Sequence, residues 1–395
     1  MKKVIFFTFL LAIINNTAWA AYTSFSTNAK SAFLIDYDSG AEIFSKNADV
    51  LMPPSSMVKL MTLAVLFDEI KAGRVKMDDK FPVSENADYK NPLWYPASKI
   101  CLSTGQTVSV KDLILGLIVL SGGDASVVVA EKLAGDENAF TGLMQAKAQS
   151  LGMEKSTFGN ASGLPHPANL MTSRELAILA THIISDYPDI YPMFSTRRFE
   201  FNDYKSDWCR DWGRTHTLNY NKLLFIMNGA DGLKTGHTDD GGYGVVASST
   251  VGGRRLIGVI NGFRGKGHDA LANEMKKMMN YGYSSTVNKV FYKPGDIVTK
   301  IPTWYGKEDF VIATVSRPFA VTTNKTDGMK GIRVVAVYDT PVETPVRAGD
   351  VIGKLIAQKD GKDIHSADLI ARDTVKRVQF FRRAWRNIMV LIGIK

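Results

Sequence analysis

The sequence predicts an α+β domain, then a small all-β domain, then a C-terminal amphipathic helix. Three observations carry this. Helical patterns cluster in the first half of the chain, with strand-like runs on either side of the cluster. From Phe291 to Ala371 there are only short apolar runs, such as Val334 to Val337 and Val351 to Ile356. Turn signals at Pro294-Gly295, Asp327-Gly328, Ala348-Gly349-Asp350 and Asp360-Gly361 separate them. From Thr374 onward Val375, Val378, Phe381, Trp385, Ile388, Met389 and Ile392 share one helical face, and Lys376, Arg383 and Arg386 lie opposite.

The two ends explain the charge. The formal net charge is +9 over 395 residues. Lys2, Lys3 and the tail cations Lys376, Arg377, Arg382, Arg383, Arg386 and Lys395 supply nearly all of it, and the tail has no acidic residue. The body is near neutral and carries no basic stripe for nucleic acid. Residues 1–20 read as a secretory signal peptide: Lys2-Lys3, an apolar core from Val4 to Ile14, and a small-x-small cleavage site at Ala18-Trp19-Ala20. The working protein is expected to be exported. The tail is too often broken by arginine to span a bilayer, and its Trp and Phe suit an interface rich in anionic lipid. The divisions expected are 1–20, 21–288, 289–373 and 374–395.

Along the chain, Ala32 to Asp36 reads as a strand, Asp38-Ser39-Gly40 as a turn and Glu42-Ile43-Phe44 as the return strand. Next comes Pro53-Pro54-Ser55-Ser56-Met57-Val58-Lys59, the opening of a buried helix whose apolar residues Met57, Leu60, Met61, Ala64, Val65 and Phe67 fall at helical spacing. Val83 to Thr107 is loop-like and carries Trp94, Tyr95 and Cys101. Ser109 caps a helix over Leu113–Leu120 that stops at Ser121-Gly122-Gly123-Asp124. Helices over Ala125–Ala134 and Glu137–Leu151 follow, then a Gly/Pro/Asn loop from Phe158 to Leu170. A further helix opens at Thr172 or Ser173 and runs through Ile184. After Pro192, Phe199–Phe201, Gly232–Thr235, Tyr243–Ser248 and Arg255–Ile260 read as strands, the last two joined at Gly252-Gly253. Ala270 to Tyr281 reads as a helix. Cys101 and Cys209 suit an exported chain that does not depend on a disulfide framework, and the even count leaves one bridge between them an open alternative to two free thiols.

The chemistry begins at Ser56 and Lys59. Three residues apart on a helix, their side chains share one face. A serine hydroxyl needs a base to become a nucleophile. A lysine is such a base only when burial or neighbouring cations bring its pKa toward neutrality. Ser56-Lys59 is the one Ser-x-x-Lys in the chain, and Lys234-Thr235-Gly236 the one Lys-Thr-Gly. A strand edge there offers a backbone N–H to an oxyanion, and cationic and hydroxyl groups to a carboxylate. Ser121 stands on the tight turn between two helices. Ser39-Gly40 and Ser162-Gly163 read as plain turns. The histidines and the two cysteines have no metal spacing, and no cofactor is expected.

Taken in order, Ser56-Met57-Val58-Lys59, Ser121-Gly122-Gly123 and Lys234-Thr235-Gly236 resemble the Ser-x-x-Lys, Ser-x-Asn and Lys-Thr-Gly set of penicillin-binding proteins and serine β-lactamases. Together with Phe158-Gly159-Asn160-Ala161-Ser162-Gly163-Leu164, the β domain and the tail, the chain resembles the low-molecular-mass penicillin-binding proteins that are D-alanyl-D-alanine carboxypeptidases. The resemblance implies a transpeptidase-like domain with an antiparallel sheet and a helical cluster, and then a β-sandwich-like domain. It implies that Ser56 is acylated, Lys59 activates it and Ser121 relays a proton. Lys234 and Thr235 would bind the substrate's terminal carboxylate, and the N–H groups of Ser56 and of His237, just past Gly236, would form the oxyanion hole. The implied partners are a peptidoglycan stem peptide ending in D-Ala-D-Ala and β-lactams as covalent inhibitors. The implied place is the periplasmic face of the inner membrane. His237 is expected to tune local charge near neutral pH.

The departure is Gly123, where the family has an asparagine that bonds the substrate. Its loss would weaken binding by roughly 0.5–1.5 kcal/mol, and Gly123→Asn is expected to strengthen acylation. Alternatives are a serine β-lactamase, an endopeptidase on crosslinked peptides, and a catalytically weak scaffold. A β-lactamase of the class A kind needs a Glu-x-x-Leu-Asn, which the loop from Gly152 to Leu170 lacks.

Overall fold

Residues 25–94 and 97–378 are described by the structure, a computed structural model. The expected signal peptide and the part of the expected tail helix from Gln379 onward lie outside the described residues.

The first domain opens with strands β1 (Ser31–Asp36) and β2 (Glu42–Lys46), a one-turn 3-10 helix at Ser55–Val58, and helix α1 (Lys59–Lys71). Two short strands, β3 (Lys80–Pro82) and β4 (Thr107–Ser109), pair across the base of the 83–107 loop. Helices α2 (Val110–Val119), α3 (Gly123–Ala134), α4 (Glu137–Ser150) and α5 (Ser173–Asp186) form the cluster. Helices α6 (Asp207–Thr215) and α7 (Leu223–Ile226) precede strands β5 (Ala230–Thr238), β6 (Gly242–Val251) and β7 (Arg254–Phe263) and helix α8 (Gly267–Ser285). The sheet is antiparallel with order β2-β1-β7-β6-β5, so the N-terminal hairpin closes onto the late strands and the helices are inserted between them.

Strand periodicity builds two cores on that one sheet. Successive side chains of a strand point to opposite faces. Phe33, Ile35, Val246, Ile257 and Val259 join the helix cluster, whereas Ala32, Leu34, Val245, Ala247, Leu256 and Ile260 pack on Leu271, Met275, Met278 and Met279 of α8. The expected helix caps are present: Ser109 Oγ accepts the Asp112 N–H, and Thr172 Oγ1 accepts the Glu175 N–H. Helix α1 is the innermost element, buried without interruption from Lys59 to Phe67. A helix apolar on every side belongs in a core, so any charged side chain at its start is held in a low dielectric.

Residues 199–201 are not a strand. Phe199 and Phe201 are buried, but the only pairing described nearby is the isolated bridge of Arg198 with Leu218. Their alternation buries two rings without a ladder. Helix α6, which apolar periodicity did not signal, starts at a Ser206 cap and carries Asp207–Arg210 and Asp211–Arg214 pairs one turn apart. Cys209 on α6 is bonded to Cys101 in the 83–107 loop, with their Cα atoms 5.7 Å apart.

The second domain contains β8 (Thr286–Tyr292), β9 (Thr299–Trp304), β10 (Phe310–Thr314), β11 (Phe319–Asn324), β12 (Ile332–Val337), β13 (Val342–Glu343), β14 (Val351–Lys359) and β15 (Lys362–Ala371). Six of them form one sheet in the order β12-β14-β15-β10-β9-β13, and β8 pairs with β11. Its core is separate from the two above. The chain beyond Thr374 does not begin as a helix. Val375 pairs with Val346 and is buried in this core, and the Val378 N–H bonds Tyr305 O. An apolar side chain counted toward the tail's helical face thus belongs to the β domain.

The domains meet through a buried polar network. Asp36 is fully buried and accepts from Ser39 and Asn288 on one oxygen and from Arg254 at 2.7 Å on the other. Arg254 also reaches Thr286, and the Ser39 and Thr322 hydroxyls lie 2.7 Å apart. Every buried polar group named there has a partner, which is the condition for such a network to stabilise.

Candidate active site

The one-turn helix at Ser55–Val58 buries Ser55, Met57 and Val58 and leaves Ser56 half-exposed. Ser55 holds a left-handed backbone (φ 50°), and its hydroxyl lies 2.9 Å from that of Thr238 at the end of β5. Strand β5 can come this close because residue 236 is glycine. A Cβ there would sit 2.8 Å from Pro54 O and 3.1 Å from Met57 N.

One turn on, the Lys59 ammonium donates to Ser56 Oγ at 2.9 Å and to the carbonyl of Ser162. Burial lowers the Lys59 pKa to about 7, against the opposing pull of the Asp124 and Glu137 carboxylates. The lysine is therefore poised to exchange a proton with the hydroxyl it touches. Ser162-Gly163, read as a plain turn, supplies that carbonyl. Asn160 shapes the turn by accepting the Gly163 N–H at 2.7 Å, and Gly163 has φ 78° directly against the Ser55 carbonyl, where a side chain has no room.

Lys234 on β5 is also buried. Its ammonium donates to Ser121 Oγ at 2.9 Å and to Thr235 O at 2.8 Å. Burial pushes its pKa well down, and Lys59 adds to this. Ser121 takes a left-handed backbone (φ 59°) between α2 and α3, which turns its hydroxyl toward β5. Ser56, Lys59, Ser121, Lys234, Thr235 and Gly236 are thus drawn together by α1, the α2–α3 turn and β5.

Two residues take other positions. His237 is exposed and stacks on Tyr243 with ring centroids 4.0 Å apart. Tyr243 in turn meets His268 edge-on at the start of α8. His268 is held neutral at ordinary pH, its pKa lowered to about 4 by burial and then by Lys234, His237 and Lys222. Gly123 is no turn residue but the first residue of α3, and its N–H donates to Ser98 O. A Cβ on it would lie 2.6 Å from Cζ3 and 3.0 Å from Cε3 of Trp94. The indole occupies the direction an asparagine would take, so the expectation that Gly123→Asn strengthens acylation is reversed. The Trp94 loop is held in turn by Asp124, whose buried carboxylate accepts the N–H groups of Ile100, Cys101 and Leu102.

Among the described residues no group of three or more His, Cys, Asp or Glu is placed to hold a metal ion.

A family model described as D-alanyl-D-alanine carboxypeptidase matches residues 16–264, and one described as penicillin-binding protein 5, C-terminal domain, matches residues 288–377. The chain is 32% identical over 387 residues to D-alanyl-D-alanine carboxypeptidase DacC of Escherichia coli K12, covering 97% of this chain and 93% of the relative. It is 33% identical over 360 residues to DacA of the same strain, covering 90% and 85%. The crystal structure of penicillin binding protein 5 from Haemophilus influenzae superposes with a TM-score of 0.76 at 31% identity, covering 90% of this chain and all of that one.

Proposed function

The chain belongs to the D-alanyl-D-alanine carboxypeptidase family, and on that premise we propose that it removes the terminal D-alanine of peptidoglycan stem pentapeptides through an acyl-enzyme on Ser56, in the service of cell-wall synthesis and cell shape. The observation that carries this reading is the 2.9 Å bond between the buried Lys59 ammonium and the accessible Ser56 hydroxyl.

Neutral Lys59 takes the Ser56 proton as Oγ attacks the carbonyl of the D-Ala-D-Ala bond. The oxyanion that forms meets the backbone N–H groups of Ser56 and His237. The substrate's terminal carboxylate lies against Lys234 and Thr235. An empty site disfavours the charge on Lys234, and an arriving carboxylate restores it. Ser121, bonded to Lys234, passes the proton from Lys59 to the departing amine. D-alanine leaves, and water then cleaves the ester. Penicillin opens on Ser56 by the same attack and stays bound.

Intact mass after brief exposure to penicillin tests this, together with D-alanine release from a pentapeptide ending in D-Ala-D-Ala. One penicilloyl mass per chain and stoichiometric D-alanine are expected. Sustained rapid penicillin turnover would make the chain a β-lactamase. Neither adduct nor D-alanine would make it a scaffold.

The location follows from the two ends. The features of residues 1–20 support export, and the basic amphipathic pattern after Val378 supports attachment to anionic lipid on the periplasmic face of the inner membrane. The mature chain is expected to sediment with phosphatidylglycerol vesicles, and less so as salt rises. A chain ending at Val378 is expected to stay in solution. Equal sedimentation of the two chains would rule the attachment out.

A further inference from the structure

We propose that Glu137 is a positioning residue of the acylation step: through Ala161 it fixes the Ser162 carbonyl that holds the Lys59 ammonium, and it sets a carboxylate near that amine. The inference rests on the reading of Ser56 and Lys59 above. It adds a residue that neither of the three motifs contains.

The geometry is a clamp on one peptide. The Ala161 N–H donates to Glu137 Oε1 at 2.8 Å. The Ala161 carbonyl accepts from Thr62 Oγ1 at 2.8 Å, and Thr62 lies one turn beyond Lys59 on α1. The next carbonyl, that of Ser162, accepts from Lys59. Both polar groups of Ala161 are therefore tied to side chains, one on α1 and one on α4. The acceptor of the Lys59 amine inherits its position from them. If that carbonyl moved, Lys59 would lose the partner that aims it at Ser56.

Charge acts in the same place. Glu137 is the first residue of α4, where a helix N-terminus favours a carboxylate. Burial holds its pKa above the ordinary carboxylate range; the Ala161 N–H works against this, Glu131 on α3 adds to it, and Lys59 and His166 work against it, so the charge acts on Lys59 where the carboxyl is ionised. Lys59 is faced by Asp124 and Glu137, and by Lys234 from β5. The Asp124 carboxylate is committed to backbone N–H groups of the 100–102 loop and of Ala125. Glu137 is the acid on the Ser162 side of the amine. Its negative charge favours the ammonium, so removing it makes Lys59 lose its proton at lower pH.

Two variants separate the roles. Glu137→Gln keeps an acceptor oxygen for Ala161 and removes the charge. Glu137→Ala removes both. The measurement is the pH profile of penicillin acylation on the full chain, with thermal midpoints alongside. For Glu137→Gln the acid limb is expected at lower pH than in wild type, an effect that a purely structural role would not produce. For Glu137→Ala the rate is expected to fall roughly tenfold to a hundredfold across the profile. A Glu137→Gln profile that superimposes on wild type would overturn the electrostatic part. Wild-type acylation by Glu137→Ala would overturn the positioning part. Absence of any adduct in wild type would sink the reading of Ser56 instead, so the two failures are distinguishable.

Discussion

Replacing Lys59 by methionine is expected to slow acylation of Ser56 by about a hundredfold to ten-thousandfold, the range set by loss of a positioned general base. Penicillin acylation followed by intact mass measures it, with Ser56→Ala as the zero. The wild-type rate should rise with pH through about 7, where Lys59 loses its proton, and the variant should lose that limb. The substitution affects stability in the opposite sense to rate. In the unfolded chain Lys59 keeps its proton to a far higher pH than in the fold. Between those two values unfolding takes up a proton, so the wild-type fold gains stability as pH rises through that interval. Methionine has no proton to give up. The variant should therefore match or exceed the wild-type thermal midpoint at neutral pH while acylating poorly. A variant that acylates at the wild-type rate would remove Lys59 from the chemistry. One that is slow only because it unfolds would leave the base assignment without support.

Gly123→Asn is expected to lower both stability and acylation, although it restores the family's residue. Its Cβ falls 2.6 Å from a buried indole. Overpacking of this kind costs about 1–3 kcal/mol. The strain bears on the start of α3, two residues from Ser121. Trp94 cannot simply swing away, because its Nε1–H donates to Asn86 O at 2.9 Å. Adding Trp94→Ala should recover part of the acylation rate lost in the single variant. A thermal midpoint unchanged and acylation faster in Gly123→Asn alone would reverse this account.

What could be read in the sequence was whatever short-range spacing encodes. Ser56 and Lys59 share a helix face because they are three apart, and Lys234-Thr235-Gly236 marks a strand edge by itself. The helix caps at Ser109 and Thr172 and the hairpin at Gly252-Gly253 are also local. Contributions made by backbone or across long separations were hidden. Ser162 acts through a carbonyl, which every residue possesses. Glu137 bonds a backbone N–H 24 residues away. Trp94 fills the space beside Gly123 only because the loop folds back over α3. Phe199 and Phe201 show why alternation misleads: two buried rings two residues apart need no sheet. Val375 shows the same for helical periodicity, since one apolar residue at the right spacing can be claimed by a neighbouring core.

The bond between Cys101 and Cys209 makes a covalent ring of the chain between them, 108 residues apart in sequence. Ser121, Glu137 and Ser162 lie inside that ring, and Ser56, Lys59 and Lys234 lie outside it. Closing a ring of this length removes unfolded-state entropy worth about 4.7 kcal/mol in the chain-entropy account. That is a large share of the roughly 5–15 kcal/mol by which folded proteins exceed their unfolded states. Ser121 and the residues that hold Lys59 from the far side are thus threaded through a loop whose closure depends on the oxidising power of its surroundings. The thiol chemistry of the compartment in which this chain folds is therefore a term in how firmly the site is assembled.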